Sequence, residues 1–279
     1  MPGIRIDRFD DLRIQDYRNV SDAELLRRRG LFVAEGRLGV RRLLASGCDI
    51  VSLLLNDASF RALEVSLGGI IERTPVYICE TSDFGSITGF NLHRGCLALA
   101  RRPPERSAVG IADSSDLVLV LEGVTDASNV GSAFRNAAAF GAGAVFLSPS
   151  CCDPLYRKAI RTSMGSALQV PYARLQNWPA DLDMLKSRGF ALLALTPKES
   201  AIDLRVYAAR QPNQSNAAER LAPVNGRAKL ALMIGSEGPG LTPEAEAMAD
   251  ICLRIPIRAD IDSLNLATAA GIALYCLGP

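Results

Sequence analysis

A chain of 279 residues has room for one large domain or two ordinary ones, each with a real core. Hydrophobic residues make up 48% and charged residues 22%, a globular balance, and no apolar run is long enough to cross a bilayer. The formal net charge of +1 announces no polyanionic partner. Seven cysteines with no Cys-x-x-Cys, and a single histidine, His93, predict reduced thiols in a cytoplasmic protein with no metal site. One histidine also weakens any Ser-His-Asp or Cys-His device. Residues 1–11 are charged and lack the apolar core of a signal peptide. Of the basic residues 27 are Arg and 4 Lys, and all sixteen up to Arg106 are Arg, against fourteen acids. Guanidinium forks suit phosphates and base edges; codon bias in a GC-rich genome yields the same composition.

In chain order, Ser21-Asp-Ala-Glu24 forms a capping box for a short helix stopped at Gly30. Residues 31–34 read as a strand, 37–47 as a helix, 50–55 as a strand and 57–67 as a helix. Strands follow at 75–79 and 95–100, and the alternation predicts a small α/β sandwich. The Pro/Ser/Gly-bearing stretch 103–115 reads as a junction, with domains expected over 1–106 and 107–279. Residues 116–122 are apolar with little alternation, as a parallel strand buried on both faces would be. A helix over 129–140 stops at Gly141, and a strand spans 144–147. Helices are expected over 154–168 and 181–188, strands over 190–195 and 230–234, and a closing helix over 263–277. The polar, Pro-containing segment 211–226 predicts a mobile surface loop.

Phosphate-loop, Rossmann and nucleophile-elbow signatures are absent. Three other segments, each after a buried strand, are the informative ones. The first holds Asn129-Val-Gly-Ser-Ala-Phe-Arg135. Asn129 alone is explained as a helix cap. Arg135 lies among Ser132, Ala133, Phe134, Ala137, Ala138, Ala139 and Phe140, which predicts an interior face and an anionic partner for the guanidinium. The second is Gly235-Ser-Glu-Gly-Pro-Gly-Leu-Thr242-Pro. A helix capped by Thr242 accounts for Pro243, but three glycines around Glu237 predict a backbone that approaches a ligand. The third runs from Ile255-Pro to Asp262-Ser-Leu-Asn265, where Ser263 or Asn265 caps an Ala-rich helix.

In this order and spacing the three segments resemble the motifs of the SPOUT RNA methyltransferases, SpoU/TrmH branch, over residues 116 to 279. The first half, through Phe32-Val-Ala-Glu-Gly-Arg37 and Val40-Arg-Arg-Leu-Leu, is similar to the L30e-like substrate-binding domain that often precedes them. The resemblance implies an α/β protein: an N-terminal L30e-like α/β sandwich, then a parallel-sheet SPOUT domain with a C-terminal trefoil knot, a rare exception among folds. It implies a homodimer, S-adenosyl-L-methionine as cofactor, and methylation of a ribose 2′-hydroxyl in rRNA or tRNA. Carried over residue by residue, it makes Asn129, Arg135, Glu237, Ser263 and Asn265 catalytic. Gly235, Ile255 and Leu264 hold the cofactor through their backbone, helped by Leu195 and Thr196. Arg135 is then the activator; a guanidinium is a reluctant base, so its expected work is to hold a substrate phosphate and steady the forming alkoxide, oriented by Glu237 and Asn129.

The chain departs from the common pattern at Ser128, Ile257, Ala259 and Ala267, where Pro, Met, Gly and Ser are frequent. Two other readings stay open: methylation of an RNA base, and an RNA-binding factor that has lost catalysis. His93 reads as a turn residue or as a stacking partner for an RNA base. Cys151 and Cys152 read as packing or as incidental, since neither a metal spacing nor a catalytic partner accompanies them.

Overall fold

Residues 3–8, 10–18, 21–88, 95–209, 229–258 and 260–278 are described by the computed structural model; His93, Ala259 and the 211–226 segment lie outside them. The chain opens with β1 (Ile4–Arg5) and a 3-10 turn, Leu12–Tyr17. In α1 (Asp22–Arg29) the Ser21 side chain accepts from the Glu24 amide, and Gly30 ends the helix in the left-handed region, as the capping box predicts. There follow β2 (Leu31–Glu35), α2 (Gly36–Leu44) and β3 (Ile50–Leu55). Next are α3 (Asp57–Leu67), β4 (Val76–Ile78), α4 (Phe84–Thr88) and β5 (Cys96–Arg101).

The junction read at 103–115 is not bare linker: Ser107 caps α5 (Ala108–Asp113). Then come β6 (Leu117–Glu122), α6 (Ala127–Ala139) and β7 (Ala144–Leu147). The helix expected over 154–168 is broken. It consists of α7 (Arg157–Thr162) and a 3-10 turn, Ser166–Leu168. Met164 and Gly165 between them both have positive φ, a conformation through which a right-handed helix cannot continue. The chain goes on through β8 (Tyr172–Arg174), α8 (Leu182–Ser187), β9 (Phe190–Leu195), β10 (Ile202–Asp203) and α9 (Leu204–Ala209). It closes with β11 (Lys229–Gly235), α10 (Pro243–Ala247), β12 (Ile251–Arg254) and α11 (Leu266–Leu277).

These elements form two units: residues 1–104 with 154–169, and residues 105–153 with 170–279. The first unit is built on a mixed sheet in the order β1-β4-β3-β5-β2, with β5 antiparallel to β2 and β3. Ile14, Tyr17, Leu25, Val33, Leu54, Phe84 and Leu99 fill one side of it. Segment 154–169, expected in the second domain, belongs to this unit. The Arg157 amide donates to Asp22 (3.0 Å), and Arg161 pairs with Glu35 (3.3 Å).

The second unit is a seven-stranded parallel sheet in the order β10-β12-β9-β11-β6-β7-β8. Every residue of β6 and β7 is buried, which is why their sequences show no alternation. Val118, Val120, Phe146, Phe190, Leu192 and Met233 form the core on one face. Parallel sheets bind ligands beyond the carboxyl ends of their strands. The loops that leave β6, β11 and β12 carry the three segments singled out from the sequence.

Candidate active site

Helix α6 is capped by Asp126, whose Oδ1 accepts from the amides of Ser128 (2.6 Å) and Asn129 (3.2 Å). Asn129 is therefore not the cap, and its side chain serves elsewhere: its Oδ1 accepts a hydrogen bond from Asn265 Nδ2 (3.2 Å). Asn265 is the cap of α11, where its Oδ1 accepts from the amides of Ala267 (3.0 Å) and Thr268 (3.3 Å). The same Nδ2 donates to Glu237 Oε1 (2.7 Å). One amide side chain thus satisfies a helix end and ties together residues from all three segments. The helix begins at Leu266, three residues later than the Ser263 start read from the sequence.

Beside this cluster is a pocket of about 420 Å³. All five residues assigned to the cofactor, Leu195, Thr196, Gly235, Ile255 and Leu264, line it, as do Glu237 and Ser263. Ile234 and Leu266 extend its apolar wall, and Lys198 and Glu246, joined by an ion pair of 2.6 Å, lie at its edge. Thr196 is buried, its amide donating to Leu253 O (2.9 Å), so the end of β9 is fixed against β12.

The glycines of the second segment have a cause other than the one expected. A Cβ on Gly235 would lie 1.9 Å from the carbonyl carbon of Gly240 and 2.1 Å from the Leu241 amide. The turn folds back on itself through a bridge between Ser236 and Gly240, and Gly238 and Gly240 take φ of 90° and 73°. Close approach of the backbone to itself and left-handed φ account for all three glycines without a ligand. The turn still leaves Glu237 exposed at the pocket.

Arg135 stands apart. It is exposed, not interior, and makes no hydrogen bond or ion pair with the described residues. The buried face of α6 is Val130, Gly131, Ala133, Phe134 and Ala137; at 100° per residue Arg135 falls instead with Ala138 and Ala139, alanines that face outward. Within its own chain the guanidinium hydrogen-bonds to neither Glu237 nor Asn129, which both hydrogen-bond to Asn265. Next to Arg135, Asn136 donates to Ala267 O (2.6 Å) and locks α6 to α11. Phe140 and Tyr275 meet edge to face at 5.8 Å on the same helix pair.

Sequence reasoning passed over Glu122, a buried carboxylate at the end of β6 that accepts from Trp178 and Thr242. A Glu closing an apolar strand was the available signal. Of the vicinal cysteines, Cys151 packs in the interior and Cys152 is half-buried. Buried Cys151 donates to Leu121 O (3.2 Å), and burial pushes the Cys152 thiol up to about 11.

Comparison with known proteins identifies the family. The model of the SpoU rRNA Methylase family matches residues 116–275. The chain is 42% identical over 270 residues to an uncharacterized tRNA/rRNA methyltransferase of Mycobacterium bovis, covering 95% of this chain and 88% of that protein. It is 24% identical over 273 residues to the 23S rRNA (guanosine(2553)-2′-O)-methyltransferase of Bacillus subtilis, covering 98% of each. The AdoMet-bound rRNA methyltransferase from Sinorhizobium meliloti shares the fold, with a TM-score of 0.78 at 21% identity over 98% of this chain and 96% of that one. The matched span contains Asn129, Glu237 and Asn265, and with them the pocket; the chain belongs to the SpoU rRNA methylase family.

Proposed function

We propose that this protein is an S-adenosylmethionine-dependent methyltransferase that modifies a ribose 2′-hydroxyl of rRNA or tRNA in the cytoplasm. The observation that carries the reading is the Asn265 amide, which joins Asn129 and Glu237 at the mouth of the pocket. The pocket fits the cofactor. Its volume of about 420 Å³ lies in the range of small-molecule sites, ~300–1,000 Å³. Leu195, Ile234, Ile255, Leu264 and Leu266 offer an apolar wall for a purine ring, and Thr196 and Ser263 offer hydroxyls. When bound, S-adenosylmethionine supplies a methyl group on a cationic sulfur that departs as a neutral thioether.

The chain's own residues supply position and charge. Glu237, held by Asn265, brings a carboxylate to the pocket where a cation is to be bound. Asn129 keeps its amide nitrogen available for the ribose, because only its oxygen is engaged by Asn265. Arg135 holds a substrate phosphate and steadies the oxygen as it loses its proton. Since Arg135 has no partner among the described residues, the reading includes a homodimer in which it serves the other subunit's pocket. Tyr275, 73% exposed on α11, and Ile272 beside it support that helix as the subunit contact. The insertion of β12 between β9 and β10 supports a trefoil knot at the C-terminal end. The mixed sheet of the first unit supports an L30e-like fold that selects RNA. There Arg28 and Arg29 are claimed by Glu24 and Asp16. Arg27, Arg37, Arg41 and Arg42 pair with no carboxylate among the described residues and remain for phosphate.

The test is methyl transfer from labelled S-adenosylmethionine to RNA, followed by digestion to nucleosides. Label in a 2′-O-methylnucleoside is expected. Label on a base overturns the ribose assignment, and no transfer by protein that binds S-adenosylhomocysteine identifies a factor that has lost catalysis.

A further inference from the structure

We infer that Glu122 is a positioning residue for the cofactor pocket, acting through Thr242 and reported by Trp178; the inference rests on the reading of that pocket as the S-adenosylmethionine site. Glu122 is 5% exposed and pairs with no cation among the described residues. A buried carboxylate is costly unless its lone pairs are satisfied. Here they are: Oε2 accepts the Thr242 amide (2.9 Å), while Oε1 accepts the Thr242 hydroxyl (2.7 Å) and the Trp178 indole N–H.

The placement of those bonds gives the carboxylate its role. In the β6–β11 pairing Glu122 is in register with Gly235, the residue that opens the pocket turn. Thr242 closes the same turn. Glu122 therefore spans the turn from its first residue to its last and fixes the separation of its two limbs. Thr242 in turn caps α10, its Oγ1 accepting from the Ala245 amide (3.3 Å), and Pro243 and Glu246 of that helix line the pocket. All three donors point at the carboxylate, so an amide at this position would set its NH₂ against at least one N–H or O–H.

The experiment is calorimetric titration of the full-length protein with S-adenosylhomocysteine, together with emission from Trp178, the chain's one tryptophan. Glu122→Gln is expected to raise Kd at least tenfold, and to raise KM for S-adenosylmethionine while kcat at saturating cofactor stays within twofold. Wild-type Trp178 emission is expected to shift on saturation, and the shift to vanish in Glu122→Gln. Trp178→Phe leaves the Thr242 bonds in place and is expected to weaken binding only two- to threefold. If Glu122→Gln does not fold, Thr242→Val, which removes the hydroxyl and keeps the amide, is expected to raise Kd about fivefold. A Glu122→Gln protein that melts earlier but binds S-adenosylhomocysteine as wild type does would overturn the inference alone, leaving a packing role. Failure of the wild type to bind would overturn the pocket reading and this inference with it.

Discussion

Asn265 concentrates the site into one side chain, and its two ends can be tested separately. Its oxygen caps α11 and its nitrogen bridges Glu237 and Asn129. Asn265→Ala loses both, including a cap worth about 1 kcal/mol. Asn265→Asp keeps a good cap but turns the bridge into a contact between two carboxylates. Urea denaturation is therefore expected to find the Asp variant no more stable than the Ala variant; wild-type stability in Asn265→Asp would show that only the cap matters. The half-buried thiol of Cys152 gives a second residue-scale prediction. Burial raises its pKa to about 11, so the neutral thiol persists, with about one thiolate in a thousand at pH 8. Alkylation by iodoacetamide in the native protein is expected to accelerate about tenfold per pH unit from pH 8 to 10. A rate already flat across that range would contradict the burial. Although Asn129 and Asn265, taken singly, read as ordinary helix caps, at this scale they and Glu237 were legible through the order and spacing of the three segments that resemble the SpoU/TrmH motifs. The exposure of Arg135 was not, because alanines flank it and alanine is equally at home on an outer face.

Among the elements, the turn from Gly235 to Thr242 depends most sharply on residue type. Gly235→Ala would place a Cβ about 2 Å from the backbone of Gly240 and Leu241, atoms that cannot move without opening the turn. Gly238→Ala meets nothing within 4 Å and bears only the left-handed φ of 90°. The expected order in thermal denaturation is clear: Gly238→Ala loses roughly 1–2 kcal/mol, and Gly235→Ala loses more and also abolishes cofactor binding. Equal losses would contradict the self-contact. The boundaries of β3, α3, β7 and β9 coincide with the sequence reading, because each is an uninterrupted apolar or periodic run between clear stops. β8, β10 and β12 went unread, since each is short and has a charged residue that breaks the apolar run, and their pairing is decided by neighbours distant in sequence. Segment 154–169 has helical composition, yet Met164 and Gly165 break it and its packing partner is β2.

For the whole molecule, Arg135, without a partner among the described residues, and the exposed Tyr275 make the proposed homodimer the property to test. Gly235 cannot serve as a clean cofactor-site lesion, so Leu264→Trp, which fills the pocket from its lining, is the better partner for Arg135→Ala. Each variant alone is expected to be inactive. Random exchange of equal amounts makes about half of the dimers mixed, each with one intact site, so roughly a quarter of wild-type activity returns. Silence from mixtures shown to exchange would place Arg135 in its own subunit's site. The two halves of the chain were legible as separate α/β patterns, whereas nothing in either half alone revealed which surface meets a second copy. The central claim is ribose methylation directed by this pocket, and the most direct measurement is a map of 2′-O-methylation across total RNA from cells with the gene intact, deleted, or carrying Arg135→Ala. The account predicts a 2′-O-methylated nucleotide that is present with the intact gene and lost in both others. An unchanged ribose map, or loss of a base methylation in its place, would contradict it.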